Sequence, residues 1–135
     1  MAPQILVEPF MSMDKSVPTD YKFYVFHGEP KYIQVDTDRE CGHRMVFFDA
    51  KWSKAPFVIS YPNESRPVAR PKSLEQMLDA AARLGRDFSF VRVDFYEIDG
   101  KPYIGELTFF PGSGGGKFIP SEYDEILGSH WKLEK

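Results

Sequence analysis

The chain has 135 residues and 15.6 kDa, the size of one domain, which excludes two complete catalytic units. At 42% hydrophobic and 27% charged residues it is neither a disordered tail nor a fibre. Its 17 basic and 20 acidic residues give a net charge of −3, which removes the general attraction on which polyanion binders rely.

No apolar run approaches the ~18 residues of a membrane span, and the residues after Met1 do not read as a signal peptide. Cys41 is the single cysteine, so no internal disulfide forms, which fits a reducing cytoplasm. The opening is abrupt: Met1-Ala2-Pro3-Gln4 leads at once into Ile5-Leu6-Val7, and residues 4–10 read as a strand. Residues 12–19 read as a loop. Residues 21–26, 32–35 and 45–48 are short, aromatic or β-branched, and separated by turns over 27–30 and 37–42, which predicts an antiparallel meander. Cys41 and His43 make only two metal-type ligands in that second turn, so a solvated turn is the better reading than a zinc site. Pro56, Pro62, Pro67 and Pro71 argue for a covering loop, broken by a brief extended stretch over 57–59.

Ser73-Leu74-Glu75-Gln76 fits a capping box, and Leu74, Met77, Leu78, Ala81 and Ala82 fall on one helical face that Gly85 ends. Residues 90–96 and 103–110 flank Asp99-Gly100 and predict a hairpin. A glycine-rich loop over 112–116 and a short helix over 121–127 follow. The expectation is a single α+β domain over residues 1–135, with a mainly antiparallel sheet and two helices on one face.

Side chains alternate along strands, so the hairpin's loop length decides which charges share a face. A two-residue loop would place Glu106 with Val91, Val93 and Phe95. A three-residue loop, Asp99-Gly100-Lys101, pairs Arg92 with Thr108, Val93 with Leu107, Asp94 with Glu106 and Phe95 with Gly105, which leaves one face wholly apolar. The three-residue loop is therefore predicted. Asp94 and Glu106 then oppose one another and repel, unless a proton, a cation such as Arg92 or a bridging Mg²⁺ offsets the charge. The glycine-rich loop is not a P-loop: Pro111 stands at the first glycine position and Phe118 at the hydroxyl position.

Arg92-Val93-Asp94, Gly105-Glu106-Leu107-Thr108 and Phe110-Pro111-Gly112-Ser113-Gly114 together resemble the carboxy-terminal motif of ATP-grasp enzymes. Val7-Glu8-Pro9-Phe10, Asp20-Tyr21-Lys22-Phe23, His27-Gly28, Gln34-Val35-Asp36 with Arg39, and Leu127-Gly128 extend the resemblance to the TupA-like, polysaccharide-associated branch over nearly the whole chain. The resemblance implies the carboxy-terminal half of an ATP-grasp domain, with ATP and Mg²⁺ as cofactors, a small-molecule or glycan-precursor substrate, and activation of a carboxylate as an acyl phosphate for an amine-type nucleophile. By position it implies Asp94, Glu106 and Thr108 at the metal and Arg92 at the transferring phosphoryl group. Glu8, Phe10 and Met11 would meet the adenine, Asp20 the ribose, Lys22 a phosphate or substrate, and Gly112 and Ser113 the acyl phosphate. Thr108 departs from the asparagine common at the third ligand position. The lysines and mobile loop of the family's amino-terminal half have no counterpart before Gln4, so that half is expected in cis or in trans. Two other readings remain at this level: an inactive ATP-grasp remnant, and an RNA-binding sheet displaying Phe88 and Phe90.

Overall fold

The computed structural model describes residues 5, 7, 17–38 and 42–133. Strands β1 (Asp20–Phe26), β2 (Glu29–Thr37) and β3 (Arg44–Asp49) form the expected meander, each a little longer than the sequence predicts. The first turn shrinks to His27-Gly28, both left-handed at φ +50° and +77°, the backbone that a tight two-residue hairpin requires. The proline-rich segment yields only β4 (Val58–Ile59) before helix α1 (Leu74–Gly85). Strands β5 (Phe90–Ile98) and β6 (Lys101–Thr108) form the predicted hairpin, and β7 (Phe118–Ile119) and α2 (Glu122–Gly128) follow. Five strands run in the order β3-β2-β1-β5-β6, and β4 pairs with β7 in a separate two-stranded sheet that the sequence did not suggest. The α+β class is as expected. Of the strand predicted over residues 4–10, Ile5 and Val7 are described, exposed and outside any strand; the other positions lie outside the described residues.

Alternation along β1 divides the core. Tyr21, Phe23 and Val25 join Ile33, Val35, Val46, Phe48, Val91, Val93 and Phe95 beneath Leu74, Met77 and Ala81 of α1. Tyr24 and Phe26 join Met45, Phe47, Ala55, Phe57 and Leu127 of α2. The helices therefore belong to clusters on opposite faces rather than to one face as the sequence predicts. The reason is parity: alternate β1 residues are apolar on both faces from Phe23 onward. At the end of α1, a Cβ on Gly85 would stand 2.4 Å from Val25 Cγ1, so this glycine serves close helix-to-sheet approach. The predicted capping box does not close. Ser73 instead donates its backbone N–H (2.7 Å) and its hydroxyl (2.6 Å) to Glu97 Oε2 on β5.

The β5–β6 loop corrects the sequence prediction. Ile98 pairs with Lys101, so the turn has two residues, Asp99 and Gly100, both left-handed at φ +52° and +73°. Phe95 pairs with Ile104 and not with Gly105. A bulge then restores Asp94 opposite Glu106, Val93 opposite Leu107 and Arg92 opposite Thr108. The extra residue is Gly105, where a Cβ would come 2.9 Å from the Tyr96 ring. The expected charged face is thus reached by a short turn and a bulge in place of a long turn.

Candidate functional site

On the α2 side of the sheet, the alternation that turns Tyr24 and Phe26 to that face also turns Asp20 and Lys22 of β1, Gln34 and Asp36 of β2, and Arg92 and Asp94 of β5 there. Lys22 is buried and lies at the centre. It bonds Asp20, donates to Asp94 Oδ2 at 3.0 Å and stands 3.9 Å from Asp36 Oδ2. Burial opposes its charge, but Asp20 and Asp94 outweigh burial and hold its pKa above the ordinary lysine value. Arg92 grips Asp94 with two parallel bonds, Nε to Oδ1 and Nη2 to Oδ2, both 2.8 Å, and Nη2 also reaches Thr108 Oγ1 at 3.0 Å. Burial works against the guanidinium as well, and Asp94 more than compensates.

A second polar line crosses from β1 through β2 to His43, the residue before β3. Tyr24 donates its hydroxyl to Gln34 Oε1 and Gln34 Nε2 donates to Asp36 Oδ1, both at 2.8 Å. His43 Nε2 lies 3.4 Å from Asp36 Oδ1, and the His43 ring packs on Tyr61 with centroids 4.1 Å apart. Burial is the main cause that raises the Tyr24 pKa well above the usual tyrosine range.

Both lines open into a cavity of about 490 Å³. Lys22, Arg92, Gln34, Asp36 and His43 form its polar end, Met45, Phe118 and Trp131 lie among its apolar walls, and Gly112, Gly114 and Gly116 form its rim. Gly112, Ser113 and Gly114 are all left-handed, at φ +58°, +55° and +72°. The Ser113 N–H donates to Phe110 O at 3.0 Å, so that amide, one of those expected at an acyl phosphate, is spent within the loop.

The structure brings together most of the predicted residues: Asp20, Lys22, Arg92, Asp94, Glu106 and Thr108 share one face, with Gly112 at the cavity. Asp20 meets Lys22 directly. Glu8, Phe10, Met11, Arg39 and Cys41 lie outside the described residues. Tyr24, His43, Tyr61 and Trp131 were missed, although Tyr24 has the parity of Asp20 and Lys22. Phe90 does not present a stacking platform for RNA, because it packs against Phe26 at 5.0 Å and Trp131 at 5.3 Å. Phe88 meets Phe109 edge-on at 5.0 Å.

Asp94 illustrates what a metal would find. A carboxylate offers about four lone-pair positions, and among the described residues three bonds from Arg92 and Lys22 engage Asp94, two of them on Oδ2. Oδ1 retains room for one further partner, and Glu106 opposite is exposed. Two carboxylates with phosphate oxygens suit Mg²⁺, so this donor set fits it. No group of three or more His, Cys, Asp or Glu among the described residues forms a metal cluster by itself. Thr108, expected as a third ligand, accepts its bond from Arg92.

The family model described as TupA-like ATPgrasp matches residues 1–132. No curated protein and no solved structure matches the chain.

Proposed function

The chain belongs to the TupA-like ATP-grasp family, and from that premise we propose that the Arg92–Asp94–Glu106 face holds Mg²⁺ and ATP phosphates in a ligase-type reaction. The reaction activates a carboxylate and passes it to an amine, in the cytoplasmic synthesis of a cell-surface polysaccharide. One observation carries this reading: Asp94 and Glu106 pair directly across β5 and β6, and Arg92, which grips Asp94, lines the polar end of a glycine-rimmed cavity.

Asp94, fixed from two sides by Arg92 and Lys22, would hold the metal through Oδ1. Glu106 supplies the second carboxylate. Lys22 and Arg92 stay cationic and face the side on which phosphate charge would gather. Bound Mg²⁺ and ATP would supply the phosphoryl group and mask its charge. The left-handed glycines keep the rim free of side chains, so backbone can approach a ligand closely.

Calorimetric titration of the full chain with Mg²⁺ and a non-hydrolysable ATP analogue tests the reading. Glu106→Gln should weaken binding by about tenfold or more, since about 1.4 kcal/mol of lost interaction is one decade. Undiminished binding by that variant, or no binding by the parent chain, refutes it.

A further inference from the structure

The polar end of the cavity holds more chemistry than a nucleotide requires. Asp36, 5% exposed, is oriented by Gln34, which is itself held by Tyr24. Its Oδ2 looks toward Lys22 at 3.9 Å and its Oδ1 toward His43 Nε2 at 3.4 Å. His43 is the only histidine at the cavity among the described residues, its side chain a quarter exposed and its ring seated on Tyr61. A buried carboxylate behind an imidazole that faces a ligand cavity is the arrangement of a proton acceptor: the carboxylate stabilises the imidazolium once it forms. When Nε2 carries the proton facing Asp36, Nδ1 is the basic atom. Asp36 thus lies between two roles, with the cation of the phosphate side on one oxygen and the imidazole on the other.

Resting on the ligase reading above, we propose that the β2–β3 end of the cavity is the nucleophile's subsite, where His43, backed by Asp36, takes the proton from the attacking nitrogen. The step balances. The amine nitrogen forms a bond to the acyl carbon, the carbon–oxygen bond to phosphate breaks, and its electron pair leaves with the phosphate. An ammonium substrate sheds two protons: His43 Nδ1 takes the first, freeing the amine, and passes it to water, and the second, released as the amide forms, leaves with the phosphate. The substrate class is an uncharged primary amine generated in place from its ammonium form. Gln34 and Tyr24 are positioning residues that act through Asp36.

Acetyl phosphate, a preformed acyl phosphate, bypasses the ATP step, so this test and the Mg²⁺–ATP titration fail independently. The full chain is incubated with acetyl phosphate and either 2-aminoethanol, largely protonated at neutral pH, or hydroxylamine, which is uncharged there and depends less on a base. The parent chain should accelerate amide formation with both. His43→Gln should lose on the order of 10²-fold or more with 2-aminoethanol, the usual contribution of a general base, and much less with hydroxylamine. Asp36→Asn should show the same bias toward hydroxylamine, and circular dichroism confirms that each variant is folded. Absence of acceleration by the parent chain, or equal losses for the two nucleophiles, overturns the proposal.

Discussion

Replacing Asp94 by Asn separates the carboxylate that holds the fold together from the one that does not. The substitution keeps the shape of a side chain that is 3% exposed, but removes the charge that meets Arg92 twice at 2.8 Å and Lys22 at 3.0 Å. Breaking a buried ion pair by removing one partner costs about 3–5 kcal/mol, because the surviving charge stays buried. Here Lys22 keeps Asp20, and Arg92 keeps Thr108, which argues for the lower end, about 3 kcal/mol. For a chain of this length that is a fall in melting temperature of roughly 10 °C, or an equivalent shift in the urea midpoint with unchanged slope. Glu106→Gln, on an exposed edge-strand position, should stay within about 0.5 kcal/mol of the parent. Urea denaturation of the parent and both variants at pH 7 and low salt measures the contrast. A loss below about 1 kcal/mol for Asp94→Asn would place the network among surface ion pairs and refute the argument.

Gly85→Ala sets a helix-propensity gain of up to about 1 kcal/mol against a Cβ 2.4 Å from Val25 Cγ1 in a fully buried position. Overpacking of about 1–3 kcal/mol should win, and a variant more stable than the parent in urea would show that α1 can lift from β1 without cost. Glu97→Ala removes both bonds that Ser73 donates at the start of α1 and should cost about 1–2 kcal/mol by thermal denaturation, whereas Glu75→Ala should cost little. Alkaline pH should destabilise the protein. Burial, reinforced by Glu97, pushes Tyr21 up to about 12 from an ordinary value of 10.0, and Lys22 is likewise raised from 10.5. Both hold their protons more tightly when folded, so stability is complete below about pH 10 and falls as pH rises toward 12, with Tyr21 alone accounting for about 2–3 kcal/mol. Equal urea midpoints at pH 8 and pH 11.5 would contradict this.

The elements most legible in the sequence are β1, β2 and β3, short aromatic or β-branched runs set between turns, and the β5–β6 hairpin, whose side-chain alternation is strong. The pairing of Asp94 with Glu106 was reached through a wrong loop length, because two compensating features, a two-residue turn and a bulge, leave the same parity as one longer turn. Gly105 was the available signal, since a glycine within a strand pattern marks a bulge. The β4–β7 pair escaped notice because two residues carry no period, and its register depends on chain segments about sixty residues apart. The capping box failed for a related reason: Ser73 had a local partner in the sequence and a better one, Glu97, only in space. Apolar residues on both faces of β1 likewise give no indication of which helix covers which face. At the site, residue types were legible and partnerships were not. Lys22 was expected to face a phosphate, and its three aspartates come from three strands.

The charge alternation across β1, β2 and β5 also constrains how this sequence can change by descent. Asp20, Lys22, Asp94 and Arg92 satisfy one another, so losing any one leaves a buried charge, whereas replacing a whole set with apolar residues of matching volume can be nearly neutral. Single-step substitution therefore passes through an unstable intermediate at every member. Even in a lineage released from any need for catalysis, these four residues should outlast the exposed Glu106. A homologue that retains the buried quartet with a substituted Glu106 would be the mark of a protein that kept its fold after losing its chemistry.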